Sequence, residues 1–219
     1  MLHLLSSESR LPLIAGTTLV SISLTMPAFA QQSPSWDYLS ASLILDGEVS
    51  ENGNLGDVDQ GYRLEGAASL GDYAFFRSRI INHDLDIDGL AVEVPLDFQE
   101  FGFGGHYPIH ANGVTLAPWG AISYDRVSLE GVLDGFTVNL GLRALFLDGD
   151  LETALEIKQG EVDNSAVDAD LTALELSAAY YIASNIDAQL TYSNTSLDED
   201  GFDEFDVEDV ITLGARFRF

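Results

Sequence analysis

From Trp36 onward the chain alternates apolar residues with small or polar ones, in runs of about ten. A period of two places every second side chain on the same face, so each run reads as a strand with one apolar and one polar face. Phe136, Val138, Leu140, Leu142 and Ala144 form one such row, with Thr137, Asn139, Gly141 and Arg143 opposite. Leu174, Leu176, Ala178, Tyr180 and Ile182 form a second. Ile211, Leu213, Ala215, Phe217 and Phe219 form a third, backed by Thr212, Gly214, Arg216 and Arg218.

Ten segments follow this rule: 36–45, 62–70, 73–82, 98–107, 114–125, 136–147, 151–159, 171–183, 186–196 and 210–219. Their connections alternate in length. Short turns fall at Gly71-Asp72, Pro108–Gly113, Asp148–Asp150 and Ser184-Asn185. Longer loops are expected at Asp46–Gln60, His83–Asp97, Arg126–Gly135, Gly160–Asp170 and Leu197–Asp209. Short turns at one end and long loops at the other make the hairpin array of a transmembrane barrel. The expected fold is therefore all-β: an antiparallel up-and-down transmembrane β-barrel of ten strands, with eight as the alternative. A β-sandwich also alternates, but its connections do not alternate strictly in length. Pro118, inside the fifth segment, leaves one question open. A bulge there would reverse the faces and send Trp119 to an interfacial belt; without one, Trp119 fills the interior.

Residues 1–30 read as a secretory signal, and 31–219 as the barrel. Arg10 precedes an apolar and small-residue stretch, and Ala28-Phe29-Ala30 supplies the small-x-small pattern of a cleavage site. Export to the outer membrane of a Gram-negative bacterium is the expected destination. Outer-membrane lipid, lipopolysaccharide and the barrel-assembly machinery are the expected partners. The aromatic pair Phe217 and Phe219 on the last strand is the expected assembly signal.

The formal net charge of −27 excludes a nucleic-acid binder, which needs a basic footprint. The charge is unevenly spread: the five long loops hold 24 of the 36 acidic residues and a single base, Arg126. By alternation the seven other bases after the signal point inward: Arg63, Arg77, Arg79, Arg143, Lys158, Arg216 and Arg218. The same reading turns Glu65, Glu100, Asp125, Glu152, Glu156 and Glu175 inward. A charge on the lipid face costs ~2–4 kcal/mol near the midplane, so strands hide charges inside, where opposite signs relieve one another. Two readings of that lumen follow. One is a cross-braced interior with a structural or surface-interaction role; the other is a small pore for ions or small solutes.

Among the acids, Asp84, Asp86 and Asp88 with Gly89 match the opening of a calcium loop. Its twelfth position is Pro95 instead of Glu, so these three are candidate surface ligands only. Catalysis by His83 beside Asp84 and Asp86 is the one enzymatic arrangement at the loop end. No catalytic residue and no resident cofactor are expected.

Three stretches carry a family resemblance. Gly61-Tyr62-Arg63-Leu64-Glu65-Gly66-Ala67-Ala68-Ser69-Leu70 is similar to the glycine-led second strand of the diffusible-signal-regulated outer-membrane protein family. Residues 97–107, Asp-Phe-Gln-Glu-Phe-Gly-Phe-Gly-Gly-His-Tyr, resemble its Asp-Phe-led glycine-rich strand. Leu213-Gly214-Ala215-Arg216-Phe217-Arg218-Phe219 resembles its aromatic terminus. The resemblance implies a porin-like outer-membrane barrel and no catalytic residues. The acidic loops depart from the family pattern.

Overall fold

The computed structural model describes residues 34–51, 54–87, 94–111, 113–129, 131–199 and 204–219. The signal reading of residues 1–30 lies outside them. The strands are β1 (Tyr38–Glu51), β2 (Asn54–Ser69), β3 (Ala74–Ile87), β4 (Val94–His106), β5 (Ile109–Ala111), β6 (Val114–Ser128), β7 (Val132–Phe146), β8 (Leu151–Asp163), β9 (Asp168–Ala183), β10 (Ile186–Glu199) and β11 (Glu204–Arg218). Apart from the three-residue β5, each is 13–16 residues long. Each long strand pairs antiparallel with its sequence neighbours. The ring closes twice over, through β4–β6 (Glu100 opposite Asp125) and through β1–β11 (Tyr38 opposite Arg218). A closed ring has no edge, so every ladder group inside it finds a partner.

The strands outrun the sequence expectation at one end only. The long loops expected at 46–60, 83–97, 126–135, 160–170 and 197–209 are largely strand, and most of their described acids stand on paired backbone. A 14-residue strand such as β1 reaches about 35 Å along the axis at ~3.3 Å per residue and ~40° tilt. The apolar band of such a barrel is only ~25 Å tall. The surplus forms a collar beyond the band.

The outer surface is apolar along the band. Leu39, Leu43, Phe103, Ile122, Val138 and Leu140 are all more than half exposed, an arrangement that only hydrocarbon tolerates on this scale. Outward tyrosines mark its limits: Tyr62 and Tyr124 towards the collar, Tyr73, Tyr107 and Tyr180 towards the short turns. The Tyr124 hydroxyl donates to Asp134 at 2.8 Å and that of Tyr192 to Asp209 at 2.6 Å, both acceptors lying on the collar side.

Pro118 introduces no bulge. Its carbonyl accepts from the Tyr107 N–H at 3.1 Å. A strand residue's N and C=O point the same way, so the missing N–H faces the gap where β4 ends and β5 begins. Register runs unbroken from Thr115 to Ser128 against β7, and Trp119 stays in the lumen. Gly141 on the neighbouring strand makes room for it: a Cβ there would lie 2.4 Å from the indole. Among the described residues the register shifts in β1 around Asp46, in β2 at Asp59, in β11 at Asp209 and beside the β9–β10 turn. Asp209 adopts a positive φ of 52° and its N–H donates to Asn194 at 2.8 Å. Beyond that extra residue Val210 turns inward.

Candidate functional site

The lumen is filled in three storeys. At the short-turn end, residues 34–37 precede β1 and fold into the mouth; the strand starts at Tyr38, two residues later than expected for Trp36. Trp36 stacks on Phe75 at 3.8 Å and on His106 at 5.1 Å, and meets Trp119 edge-on at 5.7 Å. Arg143 ties this segment down by donating to the Ser35 carbonyl at 2.7 Å while its guanidinium lies 4.5 Å over the Trp36 ring. Asp37 is held in turn by the backbone and hydroxyl of Ser69, at 2.7 and 2.8 Å.

Beside and above the aromatic plug lie the charges. All thirteen inward charges read from alternation project into the lumen, each with an oppositely charged neighbour among the described residues. Arg63 grips Glu175 with two nitrogens at 2.6 and 2.8 Å and reaches Glu65 at 2.5 Å. Arg77 grips Glu156 the same way, at 2.7 and 2.5 Å, and donates to Glu100 at 2.7 Å. Two parallel bonds between planar groups fix geometry as well as charge. Lys158 bridges Glu100 and Asp125, each at 2.5 Å, and Thr137 donates to the other oxygen of Asp125. Arg79 differs: it faces Glu65, Glu156, Glu175 and Glu100 at 3.1–3.7 Å, with no close paired grip.

Nearer the short turns, Arg143 and Arg216 converge on Glu152, and Arg216 also donates to Asp187 at 2.7 Å. Arg218 meets Asp187 at 3.0 Å and lies 3.5 Å over Tyr181. Tyr38 joins the two groups, donating to Glu65 beneath the Arg143 and Arg216 guanidiniums. Asp187 is absent from the sequence-read set, although alternation with Gln189 and Thr191 places it inward. With it the lumen holds seven bases and seven acids, so the pairing is charge-neutral.

The third storey is the collar interior. Val49, Val58, Leu85, Leu96, Val127, Val162, Leu171, Leu197, Phe205 and Val207 pack there in one cluster, each at most 7% exposed. His83 points into this region with a T-shaped contact to Phe98, away from outward-facing Asp84, so the rim His/Asp arrangement does not assemble. Asp84 and Asp86 sit on β3 opposite Gln60 and Asp57; Asp88 lies outside the described residues. Phe217 faces outward between Leu39 and Ile186, and the Phe219 N–H donates to the Asp37 carbonyl at 3.2 Å.

Two cavities interrupt this filling, of about 60 and 40 Å³, and Arg79, Glu156 and Glu175 belong to the walls of both. Each has room for a few waters. A ring with apolar outside and paired charges inside defines a transmembrane-type β-barrel with a packed lumen.

No family model matches this chain, and no curated protein does. Solved structures of other proteins are similar to it at low identity. The Neisserial surface protein A is 13% identical with a TM-score of 0.41, covering 84% of this chain and 98% of its own. Ail, the attachment invasion locus protein of Yersinia pestis, is 12% identical with a TM-score of 0.36, covering 84% and 100%. A bacterial polysaccharide outer membrane secretin is 13% identical with a TM-score of 0.39, covering 83% and 80%. Likeness at this level says nothing about activity.

Proposed function

We propose that the chain is an integral outer-membrane barrel with a closed, charge-braced lumen and a structural or surface-interaction role. One observation carries this reading: among the described residues, aromatic, charged and apolar storeys follow one another along the axis, and the two cavities between them hold about 60 and 40 Å³. Ten strands enclose little more space than eight, which side chains fill. The acidic collar faces the cell exterior and the short turns face the periplasm. The aromatic Phe217 and Phe219 serve as the assembly signal. Membership of the diffusible-signal-regulated family rests on the three stretches at 61–70, 97–107 and 213–219.

Refolded protein in a planar bilayer tests the closed lumen. The expected record has no steady conductance steps. A steady ion-selective conductance in the parent would establish the small-pore reading instead.

A further inference from the structure

Residues 34–37 fold into the short-turn mouth but belong to no strand. From Tyr38 onward the chain is pinned on both sides, with Tyr38 opposite Ala67 on β2 and Arg218 on β11. Asp37 is still clasped: Ser69 donates to its carboxylate at 2.7 and 2.8 Å, and the Phe219 N–H to its carbonyl at 3.2 Å. Before Asp37 the hold changes in kind. Ser35 is tied through its carbonyl, to Arg143 at 2.7 Å. Trp36 is 4% exposed, yet its Nε1 has no hydrogen-bond partner among the described residues. The indole is therefore held by stacking and shape, and its release breaks no hydrogen bond of the ring to the protein.

The seat of that indole is built by strands other than its own. Phe75 on β3, His106 on β4, Trp119 on β6 and the Arg143 guanidinium on β7 surround it. In the ring β7 stands opposite β1, and Arg143 lies 108 residues from Ser35 along the chain. A side chain cannot be gripped by a pocket that does not yet exist, and contacts between such distant residues close late in folding. Contacts made after the transition state slow unfolding without hastening folding.

We infer that Ser35 and Trp36 form a strap, hinged at Asp37, that seats across the short-turn mouth once the ring has closed. Seated, it ties β1 to the opposite wall and locks the ring. What seats last leaves first, so the strap is also the first part of the barrel to release. Whether the lumen conducts has no bearing on this.

The chain contains no cysteine, so single thiols give an unmixed signal. Ser35→Cys keeps the carbonyl that Arg143 holds, and Thr191→Cys puts a thiol at a wall position 1% exposed. Both proteins, folded in neutral detergent, are treated with a small water-soluble maleimide, and each rate is divided by that of the same protein unfolded. Ser35→Cys should react about tenfold or more faster than Thr191→Cys, because local release precedes global opening. Folding and unfolding rates are then measured by dilution into and out of denaturant. Trp36→Ala should raise the unfolding rate by about a hundredfold or more, while the folding rate changes by less than about threefold. Trp36→Phe, which keeps a stacking ring, should recover most of the loss. Equal labelling of the two thiols overturns the strap, since Ser35 would then be uncovered only with the whole barrel. A Trp36→Ala protein that folds as much more slowly as it unfolds faster, or that does not fold, overturns the late seating, because the indole would then belong to the folding nucleus.

Discussion

Strand β6 changes allegiance along its length. Ile122 and Tyr124 face out while Ser123 and Asp125 face in; a few residues later Val127 faces in and Arg126 out. β9 does the same, with Leu174 and Leu176 outward but Ala169 and Leu171 inward. The alternation itself never breaks at these points; only its polarity reverses. In the band the surrounding medium is apolar, so the outer face is greasy and polar groups must satisfy one another inside. In the collar the outside is aqueous, and the ordinary arrangement returns, with an aliphatic core and an acidic surface. One continuous sheet is therefore a membrane barrel below and a water-soluble barrel above. The two regions owe their cohesion to different forces, and mutations can separate them.

The largest effect is expected in the charged storey. Arg77 is 2% exposed and is gripped by Glu156 and Glu100. Removing one member of a buried ion pair costs ~3–5 kcal/mol because the partner is left uncompensated. Arg79 and Lys158 still face these carboxylates, which moves Arg77→Ala towards the lower end of that range. Arg126→Ala, on the outer face, should change stability by no more than ~0.5 kcal/mol. Chemical denaturation in detergent measures both. If Arg77→Ala costs no more than Arg126→Ala, the storey is hydrated and does not brace the barrel.

A smaller effect should distinguish the two apolar surfaces. Leu85 is fully buried in the collar core, so Leu85→Ala leaves a cavity and should cost ~2–4 kcal/mol. Leu140 is 62% exposed on the band. Lipid tails are as apolar as leucine and refill the space, so Leu140→Ala in bilayers should cost about 1 kcal/mol or less. Equal losses at the two sites would mean that the collar interior is not a dry core.

Within the band the fold was legible from sequence, because a constant polarity made each row visible. Ten strands, their order and the inward charges all followed from parity. The collar was hidden by the same rule. Where the apolar row passes from even to odd positions, as between Tyr124 and Val127, a reader of alternation sees a strand end, and the acids beyond look like loop. Asp187 was missed although its parity is plain, since it stands beside a turn and the next charge in its phase on β10, Glu199, comes only at the far end of the strand. The plug could not be read at all: Trp36 has the parity of a strand residue, and only the stacking of Phe75, His106 and Trp119 draws it into the mouth. Register, which decides that Arg77 meets Glu156 across the barrel, is a property of ring closure that parity cannot supply.

The smallest expected effect concerns the collar's outer face. Glu208, Glu48, Asp57 and Asp86 stand directly opposite one another across β11, β1, β2 and β3, all exposed. Asp134, Asp163 and Asp168 make a second such row across β7, β8 and β9, and Glu161, Asp170 and Asp198 a third across β8, β9 and β10. Like charges facing each other across a ladder destabilise it, each by ~0.2–1 kcal/mol. Screening relieves this cost, because the Debye length falls from ~30 Å at 0.01 M to ~8 Å at 0.15 M. The unfolding midpoint should therefore rise between these concentrations even in N-methylglucamine chloride, which cannot enter the lumen. Asp57→Asn interrupts the first row and should add ~0.2–1 kcal/mol at low salt while flattening the slope. The lumen pairs work against this trend only weakly, since buried charges are little screened. A midpoint that falls with salt would mean that attractive pairs dominate the surface, and that the acidic rows are not a cost the collar core has to offset.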